Sequence, residues 1–303
     1  MTIIAILLIT LSAFTHAGWN VLCKSKTTSA AFFLHLTVLS LLAFCPSFFM
    51  YRDVFAKLPG IFWIIVILTG FFQTVYYVTL ARAYLLSEVS VAYPMARSIP
   101  VILVPAATLI FGFGTPPGIA AFIGMFLIFC GCLILPQKSF SGLFRAALYK
   151  NAGFLTVLVS AVFIAAYSIA DREALRILGE DDSLLPGKIA ISFFYSGLEC
   201  VSILLFLTPY ALIRKDERKE TVRIVREMPW TPVLAALMCS GGYLLVLTAM
   251  QFVSNVSYIV AFRQLSIPIG AAMGVLLLHE TLSAPKITGL ALILAGLVLT
   301  ALF

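Results

Sequence analysis

Long stretches without one charged side chain alternate along this 303-residue chain with short, crowded clusters of charge. No Asp, Glu, Lys or Arg occurs in residues 1–23, 27–51 or 58–81, in the 40 residues of 98–137, or in the 35 of 228–262. At about 1.5 Å per helical residue, the two longest runs exceed a hydrocarbon core of roughly 30 Å, so each must fold back on itself. Turn signals divide the chain into ten spans, near 2–22, 30–50, 60–82, 88–111, 117–135, 152–171, 188–210, 231–250, 256–278 and 285–303. The dividers are GFGTPPG at 112–118, PQKSF at 136–140, GEDDSLLPG at 179–187, RKDERKE at 214–220, QFVSN at 251–255 and HETLSAP at 279–285. Lipid offers no partner to a loose backbone group, so the pattern predicts an all-α polytopic membrane protein of ten transmembrane helices joined by short loops.

Composition agrees: 62% of residues are hydrophobic, 11% are charged, and the mean hydropathy is +1.08, too little charge to cover a soluble domain of this size. The first span lacks a basic leading region, so it reads as a helix of the fold and not as a signal peptide. The net charge of +7 owes much to Arg214, Lys215, Arg218, Lys219, Arg223 and Arg226 between spans seven and eight. Beside membrane spans such a cluster marks a cytoplasmic loop or a contact with anionic lipid, and nucleic acid is not an expected partner. Lys and Arg number about 13 in the odd-numbered connections and about 5 in the even ones, which by the positive-inside rule places both termini outside. The six cysteines (Cys23, Cys45, Cys130, Cys132, Cys200 and Cys239) lie in or at the ends of spans without metal-ligand spacing, and read as small apolar packing residues.

The two halves echo each other. Ser12-Ala13-Phe14 through Trp19, Asn20 and Lys24 aligns with Ser160-Ala161-Val162 through Tyr167, Ser168 and Arg172. LSEVSV at 86–91 aligns with VSNVSY at 253–258, and the pair Gly124 and Gly131 with Gly289 and Gly296. Residues 1–140 and 141–303 are therefore expected to be two five-helix repeats. Five is odd, so the repeats enter the bilayer in opposite senses, an arrangement of transporters whose site lies at mid-depth where the halves meet. Glycines on one face of spans five and ten let backbones approach closely, as a scaffold or as the contact of a homodimer.

Arg97 and Arg263 stand deep in spans four and nine at nearly corresponding positions. An intramembrane arginine costs at least about 2.5–3.5 kcal/mol to insert, so each is expected to face a cavity or a partner. Two guanidiniums meeting from opposite repeats make a site for a carboxylate, phosphate or phosphonate, whose geometry suits their planar donor forks. Pro94, Pro100, Pro105 and Pro268 free backbone carbonyls beside them, as in a kinked helix that lines a cavity. The competing reading pairs each arginine with an internal acid, for which Glu199 is the single deep candidate. His16, Trp19 and Asn20 share one face of span one, and tyrosines including Tyr93, Tyr167 and Tyr243 add amphipathic rings. With Glu199, such rings could hold an ammonium group. His16 and Glu199 are the candidate proton carriers.

The run HAGWNVLCKS at 16–25, LARAYLLSEVSVAYPMARSIP at 80–100, and VAFRQLS at 260–266 before LLLHETLS resembles the EamA type of the drug/metabolite transporter superfamily over essentially the whole chain. The pattern HAxWN, ARAY, YPxAR and FRxxS is similar to a subgroup associated with phosphonate utilisation. The resemblance implies secondary transport of a small metabolite through a central cavity, with Trp19, Asn20, Tyr93, Arg97, Arg263 and Glu280 in the site, and both termini inside, opposite to the charge count. Three positions depart from the family pattern: Gln264, itself among the candidate substrate contacts, stands where an acid is usual, His279-Glu280 replaces Gly-Glu, and FGFGTPP carries no acid. The expected function is transport of a small anionic or zwitterionic metabolite across a cell membrane, that of a bacterial inner membrane, with no cofactor. Export of hydrophobic or cationic compounds, or flipping of a lipid-linked substrate, are the alternatives. No catalytic carboxylate pair, HExxH or phosphate loop points to an enzyme.

Overall fold

A computed structural model describes residues 1–24, 29–86, 89–137, 139–140, 152–181, 183–228, 230–278 and 283–302, the side chains at 19–24, 89–93, 152, 274 and 277–278 excepted. Among these residues the regular structure is helical throughout. Its α-helices are α1 (Ile3–Lys24), α2 (Ala30–Phe44), α3 (Pro46–Met50), α4 (Gly60–Leu86), α5 (Val89–Ser98), α6 (Pro100–Phe111), α7 (Ile119–Ile134), α8 (Ala152–Leu178), α9 (Lys188–Ile213), α10 (Lys215–Glu227), α11 (Trp230–Met250), α12 (Val256–Phe262), α13 (Ser266–Leu278) and α14 (Ala284–Leu302). Eight stretches are long and apolar enough to cross a membrane, and Ile3–Gly18 and Ile119–Ile134 are shorter apolar helices. Large side chains such as Ile119, Ile213, Trp230 and Leu276 stand exposed, as a lipid-facing surface requires.

Proline sets the interruptions. Pro46 separates α2 from α3, Pro100 separates α5 from α6, and a 3-10 turn at Arg263–Leu265 separates α12 from α13. Each break near an arginine is mended by a serine three residues from the carbonyl it bonds. Ser98 Oγ donates to Met95 O at 2.9 Å, and Ser266 Oγ donates to Arg263 O at 3.0 Å. Pro94 and Pro105 are carried inside α5 and α6.

Four helix pairings organise the packing: α1 with α11, α4 with α8, α2 with α9, and α7 with α14. In the last, a Cβ on Gly124 would stand 2.6 Å from Gly296 O, and one on Gly131 equally close to Gly289 O. The glycine faces of spans five and ten thus pack against each other within the chain. The largest buried core gathers at the end of the bundle that carries both termini, where the amino group of Met1 lies 3.4 Å from Ala301 O. There Thr2 Oγ1 donates to Phe252 O at 3.2 Å, Asn255 Nδ2 to Phe113 O at 3.1 Å, and Arg172 to Val253 O at 3.0 Å.

Two expectations need correction. Span six does not end at 171; its helix continues to Leu178, because Ala174, Leu175 and Leu178 keep an apolar face at helical spacing and are buried. The basic cluster at 214–226 is not a loop, since Lys215–Glu227 forms α10. Ile224 of α10 is buried, and Glu217 Oε2 accepts from the backbone N of Ala31 at 2.9 Å, while Ser29 Oγ accepts from Phe32 N at 3.1 Å. Two oxygens thereby cap the first turn of α2, where the helix dipole favours negative charge. Glu217→Ala is expected to lower stability by about 1 kcal/mol, read as a lower melting midpoint in detergent.

Candidate functional site

A cavity inside the helical bundle is walled by α1, α2, α4, α5, α8, α9, α11 and the turn between α12 and α13. Of the residues singled out in the sequence, Arg97, Arg263, His16, Glu199, Tyr167 and Tyr243 line it together. Trp19, Asn20 and Tyr93 have side chains outside the described residues, as do His279 and Glu280. Gln264 is not in the lining: its side chain is buried, with Nε2 donating to Val260 O at 3.0 Å. Sharing a turn with Arg263 does not give it the same outlook, because adjacent residues on a helical turn point in different directions.

The break between α12 and α13 brings Arg263 into the cavity wall. Its guanidinium lies over the Tyr243 ring, 5.3 Å from the centroid, and the Tyr167 hydroxyl is within its hydrogen-bonding reach. Arg263 is 9% exposed, forms no ion pair among the described residues, and has a buried Nε with no hydrogen-bond partner there. Buried donors without a partner are rare in folded proteins, so this nitrogen stands out in the cavity wall. Arg97, from the other broken helix, shares this cavity, and both guanidiniums are in electrostatic reach of His16 and Tyr76. His16 Nδ1 lies 2.9 Å from Ser12 O, and a carbonyl can only accept, so Nδ1 carries the hydrogen. Ser12 Oγ donates in turn to Gly242 O at 2.8 Å, which anchors α1 to α11 behind the histidine.

Glu199, 4% exposed, accepts from Gln73 Nε2. It forms no ion pair with either arginine among the described residues. Around it are Ser196 of α9 and the hydrogen-bonded hydroxyls of Ser40 and Ser240. An aromatic wall closes this side, with Phe33 and Tyr77 stacked at 4.4 Å between centroids and an interplanar angle of 3°. The cavity thus holds two guanidiniums, an imidazole, phenols and one carboxylate, with Glu199 in electrostatic reach of Arg263 though not ion-paired with it among the described residues.

Glu199 is not the single deep acid. Asp171 is 0% exposed, and its carboxylate accepts from Tyr195 Oη at 2.8 Å and from Tyr243 Oη. In the sequence Asp171 stands at the expected end of span six, next to Arg172 and Glu173, where charge is ordinary. The signal that could have found it is spacing: Asp171 follows Tyr167 by four residues, and the apolar face continues beyond it. Gln73, Ser40 and Ser240 were also overlooked; short neutral side chains inside apolar spans give no signal until facing helices bring them together.

The description that matches this chain among family models is "EamA-like transporter family", over residues 151–302, which is half of the protein. The chain belongs to the EamA-like transporter family. It is accordingly a multi-pass membrane transporter of the drug/metabolite transporter superfamily, and members of this family are transporters, not enzymes. A comparison with curated proteins finds no match. A solved crystal structure of a protein superimposes on this EamA-like chain with a TM-score of 0.68 at 16% identity, covering 98% of this chain and 96% of that one. At that identity the likeness concerns the fold alone.

Proposed function

We propose that this EamA-like transporter is a secondary active carrier of a small anionic or zwitterionic metabolite, of amino-acid or organophosphonate type, across a bacterial inner membrane. The observation that carries the reading is Arg263: buried, without an ion pair among the described residues, and with an unpartnered Nε, in the same cavity as Arg97. Planar guanidinium forks match a carboxylate or phosphonate, and Glu199 in the same lining suits the ammonium group of a zwitterion. A phosphonate substrate rests on the residue pattern HAxWN, ARAY, YPxAR and FRxxS alone.

The architecture belongs to the same proposal: ten transmembrane helices as two inverted five-helix repeats, residues 1–140 and 141–303. Three observations support it. Exchanging first-half helices for their second-half counterparts turns the α1–α11 pair into α8–α4, and maps α2–α9 and α7–α14 onto themselves. Both broken helices carry an arginine and a serine-mended break. The family match spans residues 151–302, one half of the chain. Two inverted halves would place their shared site at mid-depth.

The aromatic wall of Phe33, Phe44, Tyr76 and Tyr77 beside Glu199 favours a second reading, export of hydrophobic cations. One experiment separates the two. In a melting screen of the purified transporter against amino acids, aminophosphonates, sugar phosphates and quaternary amines, a ligand at 100 times its Kd adds about 2.7 kcal/mol of stability. Stabilisation by carboxylates or phosphonates is the expected result. Stabilisation by quaternary amines alone would replace this reading with the second.

A further inference from the structure

Asp171 has no assigned task in the cavity, yet it is the most completely buried acid in the described structure. It lies one helical turn beyond Tyr167, toward the end of the bundle that holds both termini and the largest apolar core. Its Oδ1 accepts from Tyr195 of α9 at 2.8 Å and its Oδ2 accepts from Tyr243 of α11. Thr69 Oγ1 of α4 lies 3.4 Å from Tyr195 Oη. One carboxylate on α8 thus ties α8, α9 and α11 together, with α4 alongside, between the cavity and the loops where Thr2 meets Phe252 and Asn255 meets Phe113.

No cation forms an ion pair with Asp171 among the described residues. The charged and titratable groups within its electrostatic reach are Tyr195 and Glu199 of α9, Tyr243 of α11, Tyr167 of its own helix, and Arg263. Of the other helices on α8, α4 carries Tyr76 and Tyr77, which line the cavity with the Tyr76 ring 5.7 Å from the Tyr167 ring, and Arg82 and Tyr84 three turns or more beyond Thr69. Helix α6 carries no titratable side chain, α5 contributes Arg97 at the cavity, and α12 carries only Tyr258. Tyr243 is the link: its hydroxyl holds Asp171 while its ring lies beneath Arg263.

We propose that Asp171 is a proton-binding latch for the end of the transporter that carries the termini, and that the proton is the coupling ion. As a carboxylate it can only accept, and its two oxygens satisfy two tyrosine donors at once. Taking a proton from water converts one oxygen into a donor. The neutral acid can then hold Tyr243 only by a reversed or a neutral hydrogen bond, weaker than one to a carboxylate, so the tie between α8 and α11 is loosened and the ring under Arg263 is freer to shift. Proton occupancy of Asp171 is thereby linked to the guanidinium that meets the substrate and to the closure of one face. The inference rests on the transport reading only in naming the proton a coupling ion; the latch itself is testable without a substrate.

The test is hydrogen exchange of the whole protein in lipid nanodiscs, followed in peptides covering 112–118 and 251–255 and corrected for intrinsic rates. Wild type is expected to exchange several-fold faster in acid than in alkaline buffer. Asp171→Asn is expected to exchange fast at both, with its dependence on pH gone. Tyr243→Phe, which keeps the ring and loses the donor, is expected to raise exchange in alkaline buffer toward the acid level. Infrared difference spectra between the two buffers should show a protonated-carboxyl band that is lost in Asp171→Asn and kept in Glu199→Gln. Exchange in wild type that does not respond to pH, or a carboxyl band lost with Glu199 and kept without Asp171, would overturn the proposal. A merely structural Asp171 would speed exchange in the variant while leaving wild type insensitive to pH. If the melting screen finds no anionic ligand but the latch titrates, the substrate reading fails and this one stands.

Discussion

Arg263→Ala is expected to weaken binding of an anionic ligand about 10- to 150-fold. A hydrogen bond to a charged group is worth about 1.5–3 kcal/mol, and each 1.4 kcal/mol is a factor of ten. The guanidinium is placed to give its full value, because it lies in a buried wall and no acid pairs with it among the described residues. Arg263→Lys keeps the charge but loses the planar fork and the contact with the Tyr243 ring, so an intermediate loss is expected. Arg97→Ala, from the other half of the chain, should act in the same direction. If both arginines hold one anionic group, the double variant will lose less than the sum of the two single losses, since neighbours that share a partner are not additive. Titration of a ligand from the melting screen against the three variants measures this. Unchanged affinity in both single alanine variants, with their melting points preserved, would remove the anion site.

The second large effect concerns the pairing of α7 with α14. A Cβ on Gly296 would stand 2.4 Å from Gly124 O, and one on Gly289 would stand 2.8 Å from Gly131 O. These are backbone atoms, so the side chain cannot turn aside and the helices must separate. Gly296→Val or Gly124→Val is expected to cost at least about 1–3 kcal/mol, the range for overpacked cores. The measurement is the melting midpoint and the monodisperse fraction after extraction. An internal control stands on α11. Gly241 has open space where a Cβ would go, whereas a Cβ on Gly242 would meet Thr15 Oγ1 at 2.3 Å and His16 Nδ1 at 2.8 Å. Gly241→Ala should be tolerated and Gly242→Ala should not. Equal stability of all these variants would show that the glycines do not set the helix spacing.

How much of this was legible beforehand depended on the range of the physics. The neutral runs announced membrane helices because crossing a hydrocarbon core is a local demand, met residue by residue along one segment. The breaks beside Arg97 and Arg263 were legible for the same reason, since a proline removes its own donor wherever it sits. The charges of 214–226 were legible as charges but not as α10. Its helix is held by Ile224 against the bundle and by Glu217 at the start of α2, two contacts made across the fold.

Asp171 marks the limit most clearly. Its neighbours in sequence are Arg172 and Glu173, which read as a wet helix end, and its burial comes from Tyr195 and Tyr243, 24 and 72 residues away. Gln264 errs in the other direction, since closeness to Arg263 in the chain does not bring it to the cavity. The amino-acid order by itself determined that this protein lives in a bilayer as apolar helices, with arginines where lipid does not admit them. Tertiary structure alone decided which polar groups share one hollow, which acid lies beneath it, and which glycines let two helices touch. The physical reason is that hydrophobic burial is written into each segment, whereas hydrogen-bond partners and close contacts are supplied by other segments once the chain has packed.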